Sequence, residues 1–92
     1  MNFYINDIVR LKSFFGTTTK DDDIQDNEDY WKLIGLSGKI INVRENPHSA
    51  FPDKGLQVLV HFFKDLDNYN LICHNSEKNS LWIFETDLDL DQ

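Results

Sequence analysis

Acidic side chains are concentrated in one short stretch of this chain. Six of the nine residues between positions 21 and 29 are carboxylates: Asp21, Asp22, Asp23, Asp26, Glu28 and Asp29. Alternate carboxylates can converge on calcium, but an EF-hand loop beginning at Asp21 needs Gly at its sixth position and Glu at its twelfth. Those positions hold Asp26 and Lys32. The pattern therefore favours a solvated, mobile loop over residues 16–29, with contact to a protein partner and metal binding as the alternatives.

Soft metal ligands and candidate nucleophiles are few and widely spaced. Cys73 is the single cysteine, and the three histidines are His48, His61 and His74. None of these residues forms the Cys-x-x-Cys or His-x-x-x-His spacing that zinc sites use. Cys73 lies in an apolar run, without a positive helix end nearby to favour its thiolate. We therefore predict no metal site, no cofactor and no catalysis.

Aromatic side chains are abundant for a chain of this length. Seven Phe, three Tyr and two Trp residues present more ring surface than a small core can hold. Tyr30 and Trp31 directly follow the acidic stretch. They either cap the core or anchor a protein partner, because Tyr and Trp dominate binding hot spots. The partner-binding hypothesis therefore joins the six carboxylates to Tyr30 and Trp31.

These candidate residues need a scaffold, and the hydrophobic pattern predicts a β-rich one. Over residues 7–15, Val9 and Leu11 share one face and Arg10 and Lys12 share the other, which indicates a half-buried first strand. The other predicted strands cover residues 39–43, 56–63, 69–74 and 80–84. The strand over 56–63 is expected to be central because both of its faces are apolar.

The residues that follow the acidic stretch allow two interpretations. Asp26 can cap a short helix in which Tyr30, Leu33 and Ile34 lie at helical spacing and Gly35 ends the helix. Alternatively, residues 30–34 form a strand edge, since these side chains also favour β structure. We prefer the helix.

Two further segments are expected to lie outside the strands. The loop over 46–55 holds both prolines, and its Phe51 is expected to fold back as a lid over an open end of the core. In the tail, either Leu88 or Leu90 is expected to fill the end of the core. Residues 89–92 are expected to fray.

The run from Gly35 to Val43, the long strand to Phe63, and Leu81-Trp82-Ile83 followed by Asp87-Leu88 give the chain a recognisable layout. It resembles an SH3-like small β-barrel. The resemblance implies an all-β, mainly antiparallel fold of about five strands, with a long acidic loop and a short helical turn. The turn over 35–40, Gly-Leu-Ser-Gly-Lys-Ile, is similar to the opening of KOW-type barrels. That similarity implies contact with nucleic acid or the ribosome.

Length and charge restrict the function. A chain of 92 residues is expected to form one domain over 1–92. Its 16 acidic and 9 basic residues give a formal net charge of −7. Such a surface repels phosphate backbones and anionic membranes, so a charged partner would be basic. The N-terminal residues contain no apolar run typical of a signal peptide or membrane span, and a lone cysteine suits a reducing compartment, which predicts a cytoplasmic protein.

Three binding hypotheses remain. In the first, the chain is an acidic immunity or antitoxin-type inhibitor whose loop over 16–29 occupies the basic cleft of a toxin such as a nuclease. In the second, it is an accessory or structural domain of a larger assembly. In the third, it is a nucleic-acid-binding barrel that uses a basic strip on the first two strands, formed by Arg10, Lys12, Lys39 and Arg44.

Overall fold

The chain folds as a five-stranded antiparallel sheet. A computed structural model describes residues 3–46, 49–50 and 52–91, so that His48 and the expected lid residue Phe51 lie outside the described residues. The strands are β1 (Ile8–Leu11), β2 (Ser37–Val43), β3 (Gln57–Phe62), β4 (Ser80–Phe84) and β5 (Leu88–Leu90). They lie in the order β4-β3-β2-β1-β5, and the two edge strands do not pair, so the sheet is open. The predicted all-β, small barrel-like fold is confirmed.

Short 3-10 turns provide the helical structure of the described residues, which contain no α-helix. Two of these turns, Asp26–Glu28 and Tyr30–Leu33, occupy the segment for which helix and strand were both considered. The helical interpretation is therefore confirmed, in 3-10 form. Asp26 does not cap it, because Gln25 holds the N-cap position and makes no side-chain capping bond. Gly35 follows with a φ of 93°, a conformation that few other residues tolerate.

The apolar core forms on one face of the sheet. Val9 and Leu11 of β1 are buried, and Arg10 between them is exposed, as the alternation predicts. In β3, Val60 and Phe62 are buried in the same apolar cluster. Burying side chains of this kind contributes about 1.5–3 kcal/mol each. The prediction that this strand is central is confirmed, because β3 lies between β2 and β4.

Two features of β2 depart from a regular strand. Its register with β3 shifts between Ile40 and Asn42, which marks a β-bulge and interrupts the expected alternation over this stretch. Bulges bend a strand and increase its twist, so β2 can curve around the core. Gly38 packs so closely on β3 that a Cβ atom there would lie 2.6 Å from the carbonyl oxygen of His61.

The strand predicted over residues 69–74 is absent, and this prediction is wrong. Leu66–Tyr69 forms a 3-10 turn, Asn70 adopts a left-handed φ of 57°, and the residues after it have no strand pairing. The apolar pattern has a different cause. The Ile72 N–H donates to the Asn27 carbonyl oxygen at 3.0 Å, so this segment packs against the acidic stretch instead of joining the sheet.

The last strand is formed by residues that the sequence analysis assigned to the tail. Leu88–Leu90 pairs with β1, so the prediction that the tail frays from residue 89 is wrong for residues 89–91. Leu88 is buried in the core, whereas Leu90 is 52% exposed. Asp91 is held by an ion pair with Arg10 at 2.8 Å.

A buried carboxylate holds the loop that leaves β1. Asp87 is only 1% exposed. Its carboxylate accepts hydrogen bonds from the Ser13 hydroxyl at 2.5 Å, the Phe15 N–H at 3.1 Å and the Gly16 N–H at 2.9 Å. Both Phe15 and Gly16 have positive φ angles, of 52° and 79°. Because three donors compensate the burial of its charge, Asp87 fixes the direction in which the chain leaves the sheet.

Candidate functional site

The candidate site is a surface made from two loops that pack against each other. We call residues 17–33 the acidic excursion and residues 66–74 the inner loop. The Tyr30 hydroxyl of the excursion donates to the Ile72 carbonyl oxygen of the inner loop at 2.6 Å. Together with the bond from the Ile72 N–H to Asn27, this contact fixes both backbone groups of one inner-loop residue to the excursion. The two loops therefore form one structural unit.

Lys32 connects the two loops at a second point. Its ammonium donates to the Tyr69 carbonyl oxygen at 3.0 Å and to the Asp26 carbonyl oxygen at 3.1 Å, and it pairs with the Asp26 carboxylate at 2.9 Å. The Asn70 side-chain amide donates to the other Asp26 carboxylate oxygen at 3.0 Å. The hydrogen bond from Asn70, followed by the bond and charge of Lys32, lowers the pKa of Asp26 below its ordinary value of 3.8. The folded excursion therefore stabilises the ionised form of Asp26.

Two more of the predicted site carboxylates face basic side chains of the same chain. Asp29 lies 3.7 Å from the Lys20 ammonium, and its side chain is largely buried. Glu28 lies 3.9 Å from the His74 imidazole, and both of those side chains are exposed. An exposed pair such as Glu28 and His74 contributes little stability. The Lys20 charge partly balances that of Asp29, and Glu28 already has an imidazole beside it, so both carboxylates are less suited to a basic partner.

The remaining three carboxylates are different. Asp21, Asp22 and Asp23 are exposed and lie in one turn, where the Ile24 N–H donates to the Asp21 carbonyl oxygen at 3.2 Å. Within the described part of the chain, none of the three has a cationic group within 4.0 Å. We call these three residues the acidic turn. They are the carboxylates of the excursion whose charge is left for a partner.

Tyr30 and Trp31, which the sequence analysis assigns to one partner-binding group, have different environments. Tyr30 is 9% exposed and belongs to the core cluster. Burial, followed by the charges of Glu28 and Cys73, raises the pKa of its hydroxyl above the ordinary value of 10.0. Trp31 is half-buried, and its indole N–H donates to the Thr17 hydroxyl at 3.1 Å. Tyr30 is thus a packing residue, and Trp31 is the ring at the surface of the excursion.

The basic strip predicted for nucleic-acid binding is half neutralised by carboxylates of the same chain. Arg10 and Lys12 pair with carboxylates of the tail at 2.8 and 3.3 Å. The Arg44 guanidinium lies 4.2 Å from the centre of the Trp82 ring, an arrangement typical of a cation–π contact. Lys39 lies opposite His61 in the sheet. Two of the four cations are therefore already engaged with acids and have less charge to offer to phosphates.

A cavity of about 450 Å³ opens where the two loops meet. Its apolar wall comes from Leu66, Leu71 and Ile72, and its polar lining includes Asn27, Asp67 and Asn70. The Asn27 side-chain oxygen is buried without a hydrogen-bond donor among the described residues.

Sequence reasoning missed residues 69–74 of the inner loop, because it assigned them to a strand. The sequence nevertheless contains a signal against a strand at Tyr69 and Asn70. Residues 65–70 read Asp-Leu-Asp-Asn-Tyr-Asn, and closely spaced Asp and Asn residues favour turns over strands.

The described ranges contain neither a cluster of metal-ligating side chains nor a membrane-spanning helix. Among those residues, no three side chains of His, Cys, Asp or Glu lie close enough together to hold a metal ion. Over the same ranges, no helix has the length and apolar character required to cross a bilayer.

Comparisons with protein-family models, curated proteins and solved structures found no match to this chain.

Proposed function

We propose that this protein is a non-catalytic binding domain that docks on a basic protein through its acidic turn. More specifically, we propose an immunity or antitoxin-type inhibitor that blocks a basic toxin, such as a nuclease, in the cytoplasm. One observation carries the proposal. Asp21, Asp22 and Asp23 are exposed, have no ion pair with any of the residues that the structure describes, and lie on an excursion whose base is fixed to the core.

The attachment of the excursion supports tight binding. Binding to a loop that is already held in place costs less conformational entropy than binding that must first order the loop. The hydrogen bonds of Tyr30 and Lys32 supply that order on the inner-loop side. On the other side, Trp31 packs on the ring of Phe14 with 4.9 Å between ring centres. The acidic turn is thus presented between two anchored ends.

Charge supports the choice of a basic partner. A nuclease binds a polyanion, so its active-site cleft is basic, and three adjacent carboxylates can occupy that cleft in place of phosphates. Complementary charge also accelerates association, which favours an inhibitor that must act before its target does. The half-buried Trp31 of the same excursion adds a ring of the kind that dominates binding hot spots.

The layout supports assignment of the scaffold to the SH3-like barrels. A long excursion follows β1, a glycine-containing turn opens β2, and a meander leads to β4. The short 3-10 turn Glu85–Asp87 then leads into β5. This is the order of elements that the sequence resemblance implies. In this proposal, the sheet is a rigid support and the excursion carries the function.

The proposal is tested by capture of proteins from the native host on the immobilised chain, with the captured proteins identified by mass spectrometry. We expect a basic protein that is retained at about 50 mM salt and released at about 500 mM, because salt screens exposed charges. A variant with Asp21, Asp22 and Asp23 all changed to Asn should not retain it. Capture of no basic protein, or of one whose retention ignores salt, would overturn the proposal.

A further inference from the structure

The cavity between the acidic excursion and the inner loop combines an apolar wall with unsatisfied acceptors. Leu66 and Leu71 are buried, and Ile72 is 39% exposed beside them. In the polar lining, the Asn27 side-chain oxygen is buried without a donor. The exposed Asp67 carboxylate has no cationic group within 4.0 Å in the described part of the chain. The lining therefore includes two acceptors without a partner among the described residues, together with the ammonium of Lys78.

The position of the cavity relates it to the charged surface. Asn27 lies between Asp26 and Glu28 in the chain, so the cavity opens beside the carboxylates of the excursion. Asn70, which also lines the cavity, holds the Asp26 carboxylate at 3.0 Å. A cationic group that enters the cavity therefore meets the Asp67 carboxylate of the lining, on the side of the chain where Asn70 holds Asp26.

We infer that this cavity receives an arginine side chain of the basic partner. The inference rests on the proposed function and adds a specific anchor to it. A guanidinium carries five N–H donors in one plane, which allows it to bridge an amide oxygen and a carboxylate at the same time. Its aliphatic stem suits a wall of leucine and isoleucine. A lysine ammonium is a compact point charge and bridges two separated acceptors less well.

One cation of the chain opposes this ligand. Lys78 is exposed and also lines the cavity, so its charge repels an entering guanidinium. The two charges should therefore have opposite effects on the affinity for arginine. Removing the Asp67 charge should weaken arginine binding, and removing the Lys78 charge should strengthen it.

The test is a titration of the isotope-labelled protein with N-acetyl-argininamide, followed by amide chemical shifts. N-acetyl-citrullinamide, which is neutral and of nearly the same shape, is the matched ligand control. For one side chain we expect a Kd of about 1–20 mM and shifts confined to Asn27 and residues 70–73. The citrulline compound should bind at least about threefold more weakly, Asp67→Asn should lose at least about threefold in affinity, and Lys78→Met should gain.

Absence of shifts at these residues, equal shifts with citrulline, or equal affinity in Asp67→Asn would overturn the inference. All of these variants change exposed side chains, so folding is not at risk. The titration contains no partner, whereas the proposed function is tested by capture through the acidic turn. Failure of the arginine titration therefore leaves that capture result intact, and failure of the capture is seen independently of the titration.

Discussion

Removal of one hydroxyl group should weaken the contact between the acidic excursion and the inner loop. In Tyr30→Phe the ring stays in the core, but the Ile72 carbonyl oxygen loses its donor at 2.6 Å. Leaving such a group unsatisfied costs about 1–3 kcal/mol when it is buried. Because the contact is only partly buried, we expect a loss of about 1–2 kcal/mol in the free energy of unfolding. In a domain of this size, that corresponds to a decrease in Tm of about 4–16 °C.

The assay is urea denaturation together with hydrogen exchange. Exchange should accelerate most at the Ile72 amide, which donates to Asn27 across the same junction. Tyr4→Phe is the matched control, because it removes the same hydroxyl from a ring that is 68% exposed. We expect the control to behave as the unmodified protein.

The same substitution has a signature in its pH dependence. Burial raises the pKa of Tyr30 above 10.0, so the folded state favours the neutral hydroxyl. The resulting stability is fully present below pH 10.0 and is lost as the pH rises through the raised pKa. Tyr30→Phe should lack this alkaline loss. A Tyr30→Phe variant with unchanged stability, unchanged exchange at Ile72 and an unchanged alkaline limb would refute the proposed coupling of the two loops.

Three other outcomes are expected. Asp87→Asn should lower the free energy of unfolding in urea by about 2–3 kcal/mol, because its amide N–H₂ would face donors; a value near zero would contradict the anchoring role. The stability that Asp26 contributes is present above its ordinary pKa of 3.8 and is lost as the pH falls through its lowered pKa, so acid unfolding of Asp26→Asn should lack this part of the transition. In a gel shift with single- and double-stranded oligonucleotides at low salt we expect no complex; a stable complex would restore the hypothesis that the first two strands bind nucleic acid.

Those parts of the fold that follow from periodicity could be predicted from the sequence. The alternation of Val9 and Leu11 with Arg10 identifies β1, because a strand presents successive side chains to opposite faces. The mainly apolar sequence of β3, with apolar side chains on both faces, identifies a central strand. Gly35 marks the end of the helical segment, because glycine readily adopts the positive φ that ends a helix.

The errors come from residues whose environment is decided by distant contacts. The inner loop packs against the excursion, which lies about 40 positions earlier in the chain. Its apolar residues therefore give the loop a sequence pattern like that of a strand. The acidic tail resembles a frayed end, but Leu88 enters the core and β5 pairs with β1. Neither contact can be predicted from the residues that are adjacent in sequence.

The candidate site was predicted as a set of residue types but not as a set of roles. Sequence alone treats the six carboxylates of the excursion as equivalent. The partners Lys20, Lys32 and His74 separate three of them from the acidic turn, and these pairings depend on tertiary structure. Likewise, Tyr30 and Trp31 are neighbours in sequence, but one is in the core and the other is half-buried near the surface.

The most direct test of the central claim is the affinity of the captured basic protein for two triple variants, measured by calorimetry. One variant changes Asp21, Asp22 and Asp23 to Asn. The control changes the exposed residues Glu45, Asp53 and Glu77 to Gln, Asn and Gln, so both variants remove three negative charges from a net charge of −7. We predict that the first variant raises Kd at least about tenfold and that the control stays within about twofold. Equal losses in both variants would show that overall charge, and not the acidic turn, determines binding, and would contradict the claim.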